Sequence, residues 1–334
     1  MSAAGELRPG DRPETPLVAV ENLEVAFRTR RGLFGSDAVR AVDKVSLAVG
    51  RGETVALVGE SGSGKTTLGR ATLRLVQADA GRVLFDGRDI TDEPEGRLGW
   101  LRRRAQMVFQ DPFSTLNPYM RVGELVEEPL VIAEVRSRSE RRDRALRALE
   151  AVELVPAARV ADKYPTTMSG GQRQRVGIAR ALVRDPEYIV ADEPVSMIDA
   201  SSRIEILDLL RNLQLTRRVA FLYITHDIAS ARHFADRIAV MYRGAVVELG
   251  SAGAVVDRPV HPYTQALIAA VPEPDPRNRL RRRATRRPTQ EAAARRLHPD
   301  CPHGDPPVGS PLLLGLPEDQ THFIACHSPV DFAG

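Results

Sequence analysis

Two cysteines, Cys301 and Cys326, are all that the chain holds in 334 residues. They are too few for a disulfide framework, and the setting they predict is a reducing cytosol. No uninterrupted apolar run approaches the roughly 18 residues needed to cross a bilayer, so the chain is not expected to span a membrane by itself. The stretch Met1 to Pro16 is small, charged and proline-containing. It has no apolar centre of the kind a signal peptide needs and reads as a disordered lead-in. A strong excess of one charge is also missing: with a formal net charge of +3, a pI near 9.1 argues only weakly for nucleic acid. Lysine is nearly absent, occurring only at Lys44, Lys65 and Lys163, so almost all positive charge is arginine.

What is present is the composition of an ordinary globular protein, 43% hydrophobic and 27% charged, long enough for one substantial α/β domain and an appendage. The chain is organised around Gly59-Glu60-Ser61-Gly62-Ser63-Gly64-Lys65-Thr66-Thr67, which follows the apolar run Thr54 to Val58 and precedes a helical pattern, Leu68 to Val76. Strand, glycine loop and helix in this order form a P-loop. Glycines let backbone N–H groups approach a polyphosphate closely, and the helix that begins after Gly64 directs its N-terminal dipole at the same anion. Lys65 reaches the β and γ phosphates, and the Thr66 hydroxyl ligates Mg²⁺. A chain that uses arginine nearly everywhere but keeps lysine in this loop implies a site that a guanidinium does not fit.

Before the loop, alternating stretches (Leu23, Val25, Phe27; then Val42, Val45, Leu47) predict an antiparallel β-subdomain, with an exposed loop over Arg28 to Asp37. Phe27 is either the aromatic that meets a purine ring or a core residue; the residues alone leave both open. Beyond the P-loop helix, strands are expected at Arg82 to Phe85 and Ala105 to Phe109, the second ending at Gln110. A turn-rich loop, Asp111 to Pro118, then leads to helices at Val122 to Glu134 and Ser139 to Leu154. Ser169 and Gln172 form a capping-box pattern at the head of Ser169-Gly170-Gly171-Gln172, a second helix N-terminus suited to an anion. The buried-type strand Tyr188 to Ala191 ends in Asp192 and Glu193. At such a strand end the first acid can organise Mg²⁺ and the second can orient or deprotonate a water. A further strand, Val219 to Thr225, ends in His226, a position that could hydrogen-bond a γ-phosphate or simply be a satisfied polar residue at the sheet edge. A strand at Arg237 to Met241, a hairpin at Gly244 and a helix over Tyr263 to Ala270 follow, and order becomes doubtful after Pro272. The segment Arg277 to Arg296 holds many arginines and one acid, Glu291; it reads as a solvated tail or as a contact for anionic lipid or an acidic partner face.

Taken together, these residues resemble the nucleotide-binding subunit of an ATP-binding cassette (ABC) transporter. Walker A (Gly59 to Thr67), a Q-loop glutamine (Gln110), a signature (Ser169 to Gln172), Walker B with its glutamate (Asp192, Glu193), a D-loop ending at Asp199 and a switch histidine (His226) occur in family order over Leu17 to Pro272. Met168 stands where the family usually has Leu, a volume-conserving change. Phrases similar to the dipeptide/oligopeptide importer subfamily run from Phe109 to Pro118, from Val122 to Leu130, and through His261-Pro262-Tyr263-Thr264-Gln265-Ala266-Leu267.

The resemblance implies an α/β fold: a P-loop NTPase (RecA-like) core over about 17–100 and 185–250, an antiparallel β-subdomain, a helical subdomain over about 101–184, and a tail over 273–334. It implies an ATPase with ATP and Mg²⁺ as cofactors. Lys65, Glu193 and His226 are then catalytic; Thr66, Gln110 and Asp192 serve the metal; and Phe27, the Walker A residues, the signature residues and Asp199 contact nucleotide. It also implies a second, different cassette subunit, two transmembrane permeases, an extracytoplasmic binding protein acting indirectly, no nucleic acid, and work at the cytoplasmic face of the plasma membrane. Relatives often hold an iron–sulfur cluster on four tail cysteines. Here Arg295 stands at one expected position and only Cys301 and Cys326 are present, so no cluster is expected. The alternative class is a soluble ABC ATPase acting on DNA or the ribosome, which commonly has tandem cassettes, coiled-coil runs or zinc spacings not found here. A nucleotide-sensing module without hydrolysis is disfavoured by Glu193 and His226. Cargo stays open among peptides, nickel complexes, oligosaccharides and glutathione.

Overall fold

The computed structural model describes residues 15–31, 35–271, 312–316, 319 and 321–326. The lead-in before residue 15, the arginine-rich segment and Cys301 lie outside them.

Three strands, Thr54–Val58, Tyr188–Asp192 and Ala220–Thr225, are buried along their whole length. Their side chains divide with period two between the faces of one sheet, as the pleat requires. Ala56, Val58, Ile189, Ala191, Phe221 and Tyr223 enter one core, while Val55, Leu57, Tyr188, Val190, Leu222 and Ile224 enter the other. That is why these segments read as continuous apolar runs.

In chain order, β1 (Val18–Arg31) and β2 (Gly35–Val49) form a long antiparallel hairpin. β3 (Thr54–Val58) feeds the glycine loop and α1 (Lys65–Thr72). β4 (Ala80–Phe85) and the short β5 (Arg88–Asp89) complete a four-stranded sheet of order β2-β1-β4-β5. α2 (Leu101–Arg104) leads into β6 (Ala105–Val108). Helices α3 (Pro112–Thr115), α4 (Val122–Ile132), α5 (Arg138–Ala151), α6 (Ala157–Ala161) and α7 (Gly170–Leu182) follow. The chain then alternates through β7 (Tyr188–Asp192), α8 (Ala200–Arg217), β8 (Ala220–Thr225), α9 (Ile228–Phe234) and β9 (Arg237–Tyr242). β10 (Ala245–Ser251), α10 (Ala252–Asp257), α11 (Pro262–Ala269), β11 (Leu312–Gly315) and β12 (Phe323–Cys326) complete it.

The larger sheet has the order β11-β12-β10-β9-β3-β8-β7-β6, parallel from β9 to β6 and antiparallel beyond β9. Its register brings the carboxyl ends of the parallel strands level. Val58 pairs with Thr225, Ile224 with Asp192, and Ala191 with Val108. Gly59, His226, Glu193 and Gln110 therefore leave the sheet along one edge, where open α/β sheets bind ligands.

Two expectations are corrected. The described residues of the stretch Arg28 to Asp37 pair as strands: the ladder continues with Arg28 opposite Ala38, Thr29 opposite Asp37 and Arg30 opposite Ser36. Pairing is made by the backbone, so a polar sequence does not end it. The doubt about order after Pro272 is also answered for residues 312–315 and 323–326, which form strands. β12 pairs with β10 and β11 with β12, extending the larger sheet by a hairpin contributed from the tail.

Candidate active site

The loop 59–64 closes under α1 because Gly64 takes φ +102°, and a Cβ there would lie 2.0 Å from the Ala41 carbonyl oxygen. Only glycine fits that approach. No side chain caps α1, so the amides of its first turn open into the adjoining groove. The groove, about 780 Å³, is lined by Glu60, Ser61, Gly62, Gly64, Lys65, Thr66 and Thr67, and by Phe27, Ala41, Gln110, Glu193, His226 and Leu267. Phe27 is 48% exposed on its wall and is not a core residue.

Lys65 is buried, and its Nζ donates to the carbonyls of Gly59 and Glu60, both at 2.7 Å. Burial pushes its pKa down from the usual lysine value, against the opposing pull of the Glu193, Asp192 and Glu60 carboxylates. The Thr66 hydroxyl donates to Asp192 Oδ1 at 2.9 Å. Asp192 lies at the end of β7, and burial pushes its pKa up, the Thr66 bond opposing this. Hydroxyl and carboxylate together are hard oxygen donors of the kind Mg²⁺ takes.

Glu193, one residue past β7, has φ +45° and gives its own N–H to the Ile224 carbonyl of β8 at 2.9 Å. Its carboxylate is thereby turned along the sheet edge toward two other strand ends. Gln110 Nε2 donates to Glu193 Oε2 at 3.2 Å, and His226 Nδ1 lies 3.2 Å from the same oxygen. His226 therefore stands on the groove, beside an acid at the carboxyl edge of the sheet.

Gly59 and Ser63 belong to the loop without lining the groove, and Asp192 reaches it through Thr66. The signature residues and Asp199 stand elsewhere. Ser169 caps α7, accepting from the Gln172 N–H, while the Gln172 side chain accepts from the Ser169 N–H, both at 3.2 Å. That is the expected capping box. A Cβ on Gly170 would lie 3.6 Å from Ile198, and one on Gly171 3.1 Å from Ser202, so the signature packs against the start of α8 and the segment leading into it. Asp199 caps α8. The Ser201 hydroxyl, at 2.6 Å, and the Ser202 N–H, at 2.9 Å, hold its carboxyl down at about 2.

Sequence reasoning did not place Ala41, Leu267 or Tyr263 at the site. The phrase His261 to Leu267 carries two of them, with no sequence signal that places it on the groove. Tyr263 Oη accepts the Glu60 N–H at 3.0 Å, and Leu267 lies one turn further along α11.

Comparison with known proteins bears on the family and the fold. Residues 42–196 match the ABC transporter family, and residues 247–306 match the oligopeptide/dipeptide transporter C-terminal region. A putative peptide import ATP-binding protein of Brucella ovis is 45% identical over 273 residues, covering 82% of this chain and 84% of the relative. The oligopeptide transport ATP-binding protein OppF of Bacillus subtilis is 43% identical over 272 residues, covering 80% and 87%. Among solved structures, a dimeric post-hydrolysis state of the ATP-binding cassette MJ0796 bound to ADP and Pi is 33% identical, with a TM-score of 0.62, covering 70% of this chain and 98% of that one. These matches bear out the resemblance drawn from the motifs and the P-loop NTPase fold it implied. The chain belongs to the ABC transporter family, as one of its ATP-hydrolysing cassettes.

Proposed function

We propose that the chain is the ATPase subunit of a peptide importer. The convergence of Lys65, Thr66, Gln110, Glu193 and His226 on one groove carries the ATPase half of this reading. The peptide half rests on the match to the oligopeptide/dipeptide transporter region and on what the relatives are named for.

In this reading the loop amides and the first turn of α1 wrap the polyphosphate of ATP, Phe27 meets the adenine, and Lys65 contacts the β and γ phosphates. Thr66, Asp192 and Gln110 are the residues that would hold Mg²⁺, which when bound supplies charge neutralisation at the phosphate oxygens. Gln110 and His226 both engage Glu193 Oε2, so Oε1 is the oxygen left to accept a proton from the attacking water. His226 keeps that water in line with the γ-phosphate, and Lys65 offsets charge developing on the transferred group.

Ser169, Gly170, Gly171, Gln172 and Asp199 do not line the groove of their own chain. We assign them to nucleotide held by a facing cassette, so that ATP joins two subunits and loss of the γ-phosphate releases them. That facing cassette is a different chain, and the pair works beneath two permeases at the cytoplasmic face of the plasma membrane, served indirectly by an extracytoplasmic binding protein. Among the described residues no helix is long and apolar enough to cross a membrane. An apolar groove of about 360 Å³ beside Gln110, with Leu75, Phe109 and Ile132 exposed on its rim, supports permease contact next to the residue that senses the site. The division into a core (17–100 and 185–250), a helical subdomain (101–184) and a tail (273–334) belongs to the same proposal, as does the expectation of no iron–sulfur cluster.

The test is to isolate tagged Glu193→Gln protein from native membranes with ATP and Mg²⁺ and identify its companions by mass spectrometry. Two multi-spanning permeases and a second cassette are the expected result. Recovery only from the soluble fraction with nucleic acid or ribosomes would overturn the importer reading.

A further inference from the structure

The tail hairpin β11–β12 is joined to the nucleotide groove by buried hydrogen bonds. His322, 2% exposed, places Nε2 at 2.8 Å from Glu248 Oε1, and Glu248 on β10 is fully buried. Gly250, two residues along β10, leaves room for the imidazole: a Cβ there would approach the ring to 3.0 Å. The same carboxyl accepts the N–H groups of Val260 and His261, each at 2.9 Å, which fixes the entry to α11. His261 Nδ1 then accepts the Tyr263 N–H at 3.1 Å, capping that helix.

Tyr263 stacks on Tyr242 with ring centroids 4.4 Å apart, and its hydroxyl accepts the Glu60 N–H at 3.0 Å. Burial pushes the phenol up to about 12, so the hydroxyl is neutral at physiological pH. The Gly59–Glu60 peptide is therefore held at both ends. Its N–H is fixed by Tyr263 and its carbonyl accepts Lys65 Nζ at 2.7 Å. Loss of the Tyr263 hydroxyl frees the peptide plane against which the Lys65 ammonium is positioned.

We propose that the C-terminal hairpin is a positioning element of the nucleotide site: His322, acting through Glu248 and the start of α11, holds Tyr263 against Glu60 and so sets the ATP affinity of the P-loop. Neither His322 nor Tyr263 need touch the reacting atoms. The proposal rests on the groove being the ATP site, so Lys65→Ala is carried as a control. If Lys65→Ala binds ATP normally, it is that assignment that fails.

The experiment is equilibrium binding of a fluorescent ATP analogue to the full-length chain. Tyr263→Phe keeps the ring stack and removes one acceptor; it should weaken binding about five- to ten-fold, the size of one neutral hydrogen bond, with the thermal midpoint unchanged within about 2 °C. His322→Leu should weaken binding about three-fold, and His322→Gln, whose amide reaches the same Glu248 oxygen, should restore it. If His322→Leu does not fold, His322→Asn, too short to reach Glu248, takes its place. The double variant with Tyr263→Phe should bind no more weakly than Tyr263→Phe alone, because the two residues act in series. Wild-type affinity in Tyr263→Phe, or losses that multiply in the double variant, would overturn the proposal.

Discussion

Thr66 and Asp192 stand 126 residues apart in the chain, yet the Thr66 hydroxyl donates to Asp192 Oδ1 at 2.9 Å. The bond joins the first turn of α1 to the end of β7 and gathers the oxygen donors of the site. It also holds a carboxylate where burial disfavours its charge, so the native pKa of Asp192 lies above its ordinary 3.8. A raised native pKa means that the folded state binds more protons than the unfolded one across the interval between the two values. Stability contributed by this group is present below 3.8 and is lost as the pH rises through the native pKa.

Asp192→Asn keeps an acceptor for Thr66 and removes the charge. In the absence of nucleotide it should melt above wild type at pH 7, by roughly 1–2 °C for each kcal/mol recovered, with the gap narrowing as the pH falls toward about 4. Its ATP hydrolysis should fall at least about 100-fold. Thermal scans across pH check the first point. No gap at pH 7, or a gap that widens on acidification, would contradict the reading of this carboxylate.

Gly64 and Gly62 both take positive φ, +102° and +81°, but they differ in surroundings. A Cβ on Gly62 meets nothing within 4 Å, whereas one on Gly64 lies 2.0 Å from the Ala41 carbonyl oxygen and 2.8 Å from Met241 Cε. Gly62→Ala should cost only the backbone strain, about 1–2 kcal/mol. Gly64→Ala should cost more than that and abolish ATP binding, since relieving the clash means moving the loop away from Ala41 of β2 and Met241 of β9. Denaturant midpoints of the two variants, measured side by side, decide the order.

Ser169 caps α7 away from its own groove. Ser169→Ala should lower stability by about 1 kcal/mol through loss of the cap. ATP affinity of the single chain should stay within about two-fold of wild type, because no contact in the same groove is lost. Hydrolysis by paired cassettes should drop at least about ten-fold. A single-chain affinity that falls in step with hydrolysis would show Ser169 acting on its own nucleotide.

The carboxyl edge of the sheet was legible because its residues are named by local context. An acid pair ends the apolar run 188–191, a histidine ends 219–225, and Gly-x-x-Gly-x-Gly-Lys-Thr separates strand from helix. The level register of those strands then does the rest. The Arg28 to Asp37 ladder was illegible because alternation of side-chain polarity is only an indirect sign of backbone pairing. α8 went unread although Asp199 caps it and Ile206, Leu209, Leu210 and Leu213 give it a buried stripe. His322 was beyond reach for another reason. Its partner Glu248 is 74 residues away, and a lone histidine in a tail carries no spacing that names a buried acid.

The most direct test of the catalytic assignment is the turnover of ATP bound by purified Glu193→Gln. The amide keeps the shape that meets Gln110 and His226 but cannot take a proton. The assignment predicts ATP binding within about two-fold of wild type, hydrolysis slowed by about 10²–10⁴-fold, and accumulation of an ATP-bound dimer. Turnover retained within a few-fold of wild type would mean that another group accepts the proton from water, and that Glu193 is not the base.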